Sequence, residues 1–255
     1  MESKHFSPIF PNPVSCFWTV ISRFSQELFN RYPRDGIGNW LKETWEWHYL
    51  AFYIGWTELI HITSIAIGLT LLRIVLNSLI LRPLPKYFNI IEQDAEKFPE
   101  SAWKSIIYIV TWVWALCLCC VSDEMYFFKL DSHWEGYNLG NAIPNSIYWL
   151  YMLQMGFYFH CIYASVYLET IRRDFLALMF HHFLTLGLLF YSYGVRFHLI
   201  GLLVLFIHDI GDVTLEVSKT IVYFKTRNGV DHALPKFLAD IGFAFFTIQW
   251  YVSAL

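Results

Sequence analysis

Charge is what this sequence has least of: Asp, Glu, Lys and Arg make up 15% of its 255 residues, against roughly 25% in a soluble domain. With a net charge of −3 and no basic patch of useful size, it lacks the electrostatic footprint of a nucleic-acid binder. Cysteine is sparse as well. Of Cys16, Cys117, Cys119, Cys120 and Cys161, three crowd one apolar run, where small polarizable side chains pack well. The odd count and these positions argue against a disulfide framework, and Cys117 and Cys120 have no partners outside their run to complete a zinc site. The first 13 residues lack the apolar stretch of a cleavable leader, so the first span is expected to act as signal anchor. No Asn-x-Ser/Thr acceptor, repeat or low-complexity tract occurs.

Apolar residues take the place of charge. Hydrophobic side chains make up 56% and aromatics 20%, mean hydropathy is +0.40, and the excess falls in runs of roughly twenty residues, the length of a membrane span. The chain therefore reads as an all-α integral membrane protein with about six transmembrane helices. The spans are expected over 49–72, 105–128, 146–168, 175–193, 198–221 and 235–254, the first running as far as Leu81 before Pro83 and Pro85 stop it. Residues 1–48 form an N-terminal interfacial or lumenal segment. There Val14, Phe17, Trp18, Ile21, Phe24 and Leu28 share one side of a short amphipathic helix, and Trp40, Trp45 and Trp47 form an aromatic cluster ahead of the first span. The stretch from Arg82 to Lys104 reads as a solvated connector. Loops after spans one, three and five hold Arg82, Lys86, Lys97 and Lys104, then Arg172 and Arg173, then Lys225, Arg227 and Lys236. The loops after spans two and four hold Lys129 and Arg196. The positive-inside rule puts the first set in the cytosol and the N-terminus in the lumen.

Against this background the stretch 172–223 stands out. It reads as two apolar helices, yet it contains His181, His182, His208, Asp209, Asp212 and Glu216. An ionisable group near the centre of a membrane helix costs about 2.5–3.5 kcal/mol on the mildest scale. His208, Asp212 and Glu216 are spaced i, i+4 and i+8, which suggests one polar face. His181 and His182 lie about 100° apart around their helix, so they cannot share one role. His182 and Asp212 both fall roughly 10–15 Å below the cytosolic face at 1.5 Å per residue. A buried network that merely holds the bundle together is the bland alternative, and six groups at matched depth favour function over it. Histidine with carboxylate is also good ligand chemistry. However, His160, His181, His182 and His208 do not make the HxxxH and HxxHH boxes of membrane di-iron enzymes, so no metal is expected.

These residues resemble the Lag1 motif of ceramide synthases, within the TLC class of membrane proteins. The resemblance runs through Arg173, Asp174 and Phe175, then His181, His182, Thr185, Ser192, Tyr193 and Gly201. It continues through His208, Asp209, Asp212, Leu215, Glu216 and Lys219. Phe98 to Trp103 is similar to the family's lead-in to its second span, and Gln154, Gly156, Phe157 and Tyr158 to its third. The likeness covers about Pro83 to Phe246, so 49–82 is taken as a first transmembrane helix and 83–255 as a TLC domain with a TLC-type bundle. It implies an acyltransferase of the endoplasmic reticulum membrane that joins a fatty acyl-CoA to the amine of a sphingoid base. His181, His182, Asp209 and Asp212 would be catalytic. His208, Glu216, Tyr193 and Trp103 would support them or bind substrate. Acyl-CoA enters as co-substrate with no bound cofactor, in contact with membrane lipid, and a dimer with a second copy or a related synthase is implied. Such chemistry needs a base near neutral pH, or an imidazole that accepts the acyl group, with a carboxylate to fix the histidine tautomer. The chain departs from the family pattern at Arg196 and Leu199, lacks a homeobox-like insert, and is expected to lack the family's last span. A non-catalytic lipid-binding or regulatory TLC protein, or an inactive truncated isoform, is the competing expectation.

Overall fold

The computed structural model describes residues 54–121, 142–169 and 175–254. The expected amphipathic helix around Val14–Leu28, the cluster Trp40, Trp45 and Trp47, Cys16, Lys129 and Arg172 to Asp174 lie outside the described residues. Six long helices account for most of the described residues. They are α1 (Trp56–Leu76, continued by a π-helical turn Asn77–Leu81), α4 (Phe98–Leu116, continued through Cys117–Val121), α5 (Asn145–Tyr167), α6 (Phe175–Gly194), α7 (His198–Val222) and α8 (Ala233–Ala254). Two short helices, α2 (Pro83–Tyr87) and α3 (Glu92–Ala95), join α1 to α4.

Three segments are long and apolar enough to cross a membrane by length and composition: Trp56–Tyr87, Glu92–Val121 and Phe175–Gly194. Helix α5 has no formal charge over its 23 residues, but Tyr, Trp, Gln and His dilute its hydropathy. Helix α7 carries Asp209, Asp212, Glu216 and Lys219. Large apolar side chains such as Leu71, Leu72, Phe180, Leu188, Phe237 and Phe245 face outwards, as expected where the surrounding solvent is hydrocarbon.

The connector departs from expectation. Helix α4 begins at Phe98, seven residues ahead of the expected 105, because Pro99 sits in the first helical turn, where its missing N–H breaks no hydrogen bond. That extra length carries Ser101, Ala102, Trp103, Lys104 and Ser105 into the bundle, all buried. Lys104 is thus no loop charge. A small hairpin, β1 (Thr226–Arg227) with β2 (Val230–Asp231), also went unforeseen. Its turn places Asn228 and Gly229 at φ 52 and 71, the left-handed pair favoured in two-residue hairpins. Asn89 Nδ2 donates to Asn228 Oδ1 at 2.7 Å and Asn228 N donates to Asn89 O at 3.1 Å, so the hairpin clasps the connector.

Helix α5 occupies the centre. It packs along α1 and α6, and meets α4 over a shorter length. Its Tyr151, Met152, Met155 and Tyr158 join Leu186, Leu189, Leu202 and Leu205 in one apolar cluster. Its Phe157 and Cys161 join Leu69, Trp103, Ile107 and Tyr108 in a second. Helix α7 packs on α4 and α8. Only Val195 to Phe197 separate α6 from α7, with Arg196 at φ 65 and its N–H donating to Tyr193 O at 3.1 Å, so the two helices run antiparallel.

The α1–α5 contact is close at Gly156, where a Cβ would stand 2.6 Å from Ile65 Cγ2 and 3.1 Å from Ile62 O. Gly156→Ala should therefore destabilise the fold by about 1–3 kcal/mol, the usual range for overpacking, read as a lower unfolding temperature in detergent. Gly68→Ala, with nothing within 4 Å of the added Cβ, should leave that temperature unchanged or raise it. Equal responses would contradict this packing.

Candidate active site

The middle of α6 presents two histidines to different surroundings, as their 100° separation requires. His182 points into the bundle, 1% exposed, its ring edge-on to Tyr158 with centroids 5.7 Å apart. Neither His182 ring nitrogen has a hydrogen-bond partner. His181 is half exposed, and its Nε2 lies 3.8 Å from Asp212 Oδ2 on α7. That is ion-pair range and beyond a direct hydrogen bond. The two rings are 5.7 Å apart.

On α7 the carboxylates divide. Asp209 is buried and accepts a hydrogen bond from Gln154 Nε2 of α5. Asp212, one turn on, is partly exposed and faces His181. Glu216 is buried and accepts from Lys219 Nζ at 2.6 Å, while its other oxygen has no partner. His208 is exposed, within electrostatic reach of Asp212 and His181. The i, i+4, i+8 row thus slants through the bundle, from exposed His208 to buried Glu216, rather than forming one uniform face.

Trp103 and Tyr193 have partners of their own. Trp103 is wholly buried and donates from Nε1 to His160 Nε2 at 3.1 Å; His160 Nδ1 pairs with Thr70 Oγ1 at 2.8 Å, and Thr70 in turn donates to Ala66 O. Because Trp103 can only donate, His160 is held as the neutral tautomer protonated on Nδ1. Tyr193 follows His182 by eleven residues, roughly 16 Å along the helix. There its hydroxyl donates to Glu58 Oε1 at 3.2 Å and its ring packs under Arg196. Tyr193 thus stands away from the His181–His182 pair along α6, and Trp103 is engaged with His160.

Sequence reasoning gave no role to the groups that close the site from α4 and α5. Gln154, Tyr158 and Tyr108 are buried around the histidines and acids. Just beyond the end of α5, Glu169 accepts from Arg73 Nη1 at 2.8 Å through one oxygen and from Lys104 Nζ at 2.9 Å through the other; Lys104 also meets Glu100 at 2.9 Å. All three side chains of the central triad are about one-twentieth exposed. An arginine within the apolar run Ile65–Leu76 was the available signal, since an intramembrane cation needs a partner.

A helical bundle with membrane-length apolar helices, enclosing a cluster of histidines and carboxylates, defines an integral membrane protein. The sequence model of the TLC domain matches residues 97–253, and the chain belongs to the TLC-domain family. It is 40% identical over 194 residues to Ceramide synthase 1 of Homo sapiens, covering 76% of this chain and 55% of that protein. It is 34% identical over 165 residues to Ceramide synthase LOH1 of Arabidopsis thaliana, covering 62% and 49%. To Ceramide synthase hyl-1 of Caenorhabditis elegans it is 29% identical over 161 residues, covering 63% and 40%. The chain spans about half the length of the curated relatives it matches.

Burial alone would raise the Glu169 carboxyl, but Lys104 and Arg73 outweigh it and hold it below the usual carboxylate range. A carboxylate whose folded pKa is depressed stabilises the fold above its unfolded value, about 4.3 for Glu. That contribution disappears as pH falls through the lower folded value. Glu169→Gln leaves two buried cations short of an acceptor and should cost about 3–5 kcal/mol at neutral pH. It should also remove this part of the acid sensitivity, measured as unfolding temperature against pH in detergent. Wild-type stability with an unchanged acid limb would contradict the assignment.

Proposed function

We propose that this chain transfers the acyl group of a fatty acyl-CoA to the amine of a sphingoid base, in the endoplasmic reticulum membrane and at a site open to the cytosol. The observation that carries the proposal is a buried His182 with both ring nitrogens unengaged, beside a His181 that faces Asp212. A buried polar group left without a partner is destabilising, which favours a ligand as the missing partner. The named relatives are ceramide synthases. In this reading His181 and His182 supply the base or the nucleophile. Asp212 fixes the tautomer of His181 and stabilises its cation, while Asp209, held by Gln154, keeps α7 in register with α5. A thioester in an apolar bundle is shielded from competing water, and a site near the cytosolic surface serves both a water-soluble CoA and lipid-borne chains.

Purified protein, given labelled sphingoid base and a series of acyl-CoAs, should make amide. Combined His181→Ala and His182→Ala should abolish it, and Asp212→Asn should lower kcat by roughly 10²–10⁴-fold, the range of a lost acid–base group. Amide formation that survives the double alanine variant sinks this chemistry. A well-folded wild type that makes no amide from any acyl-CoA points to a lipid-binding TLC protein. If the route is covalent, intact mass after acyl-CoA treatment rises by one acyl group. An active enzyme with no adduct under quench leaves general-base catalysis.

A further inference from the structure

We propose that Tyr158 is a catalytic residue whose phenolic O–H donates a hydrogen bond to the thioester carbonyl oxygen as that oxygen becomes an oxyanion. The inference rests on the acyl-transfer reading and adds a residue from a third helix, α5, to it. Tyr158 is 1% exposed, and its ring meets both histidines, with centroids 5.7 Å from His182 and 6.4 Å from His181. Tyr108 from α4, and Asp209 and Asp212 from α7, lie within electrostatic reach of its hydroxyl. The phenol therefore stands where α4, α5, α6 and α7 converge on the reactive pair.

Packing alone gives no reason for a hydroxyl here, because burying one costs free energy unless it is hydrogen-bonded. A phenol offers one donor hydrogen as well as acceptor lone pairs. The ring of Tyr158 meets both histidines, and its rotatable hydrogen serves a carbonyl held on the histidine side. A phenol is protonated at neutral pH, its ordinary pKa being about 10, so it suits hydrogen-bond donation rather than proton removal.

The electron balance is the same by either route. The lone pair of an imidazole nitrogen or of the amine forms a bond to the thioester carbon, and the C=O π pair moves to oxygen, where Tyr158 O–H meets it. The pair then returns and the C–S bond breaks. When the amine attacks directly, an imidazole takes its proton and passes it to the departing thiolate. When an imidazole attacks, the thiolate leaves with the proton of that ring's other nitrogen; the amine then adds to the acyl carbon, the bond to the imidazole breaks, and the amine's proton returns to the ring. Tyr158 keeps its own proton throughout. Donors aimed at the position of developing charge act strongly in a water-poor site.

The test is steady-state amide formation by the full chain carrying Tyr158→Phe, with Tyr108→Phe beside it. Tyr158→Phe should lower kcat by roughly 10²–10³-fold, as loss of one oxyanion donor does elsewhere. KM for acyl-CoA and sphingoid base, and the unfolding temperature in detergent, should stay at wild-type values. Tyr108→Phe should lower kcat by a smaller factor. Wild-type kcat in Tyr158→Phe overturns the proposal, as does an effect confined to KM or a variant that fails to fold, each of which assigns Tyr158 to packing or binding. If the wild type itself makes no amide, the acyl-transfer reading falls and this inference with it. An active wild type with an unimpaired Tyr158→Phe removes Tyr158 alone.

Discussion

An ionisable side chain inside an apolar bundle needs a partner, and the arrangement of this molecule follows from the partners that come from other helices. Glu169 is the clearest case. Its two oxygens receive Arg73 from α1 and Lys104 from α4, so one carboxylate just past α5 ties three helices together. His160 is answered in the same way, by Trp103 from α4 and Thr70 from α1. Asp209 is answered by Gln154 across the α5–α7 gap. These contacts make α5 the spine of the bundle and fix the height at which α4 and α7 stand against it.

Set against those pairs, His182 is the exception. It is as deeply buried as His160, yet neither of its ring nitrogens is engaged. One helical step away, His181 reaches the partly exposed Asp212. The same α6 therefore carries one histidine awaiting a partner and one poised beside a carboxylate, with Tyr158 touching both rings. A bundle stabilised only by its internal contacts would have little use for that combination, whereas a centre that handles a carbonyl and a proton needs such a set.

Much of this was legible in the chain. The α6–α7 hairpin is expected over 175–193 and 198–221 and found at Phe175–Gly194 and His198–Val222, because two long apolar runs flank a break too short for anything but a tight reversal. The separate surroundings of His181 and His182 follow from helical geometry. Other features were not legible. The stretch Arg82 to Lys104 reads as a connector with the span starting at 105, and only the observed helix shows Phe98 and Pro99 inside its first turn, which is why Lys104 is misread as a loop charge. Tyr193 belongs to the same sequence motif as His182 but stands eleven residues away along one helix, so membership of a motif says nothing of shared depth. The roles of Tyr158 and Tyr108 depend on which faces of α4 and α5 meet. The sequence of α5 does not reveal that, because aromatic side chains stand both on its buried face, as Tyr151 and Tyr158, and on its exposed one, as Phe159 and Tyr163.

The central claim is that acyl-CoA reacts where α5, α6 and α7 meet around His182. A photoreactive acyl-CoA analogue, with its crosslinking group next to the thioester carbon, tests this most directly when the labelled peptides are mapped by mass spectrometry. The account predicts label on the peptides holding His181–His182, Asp209–Asp212 and Tyr158, competed away by ordinary acyl-CoA. Competable label found instead around Tyr193 and Glu58, or no competable label in a folded preparation, would contradict it.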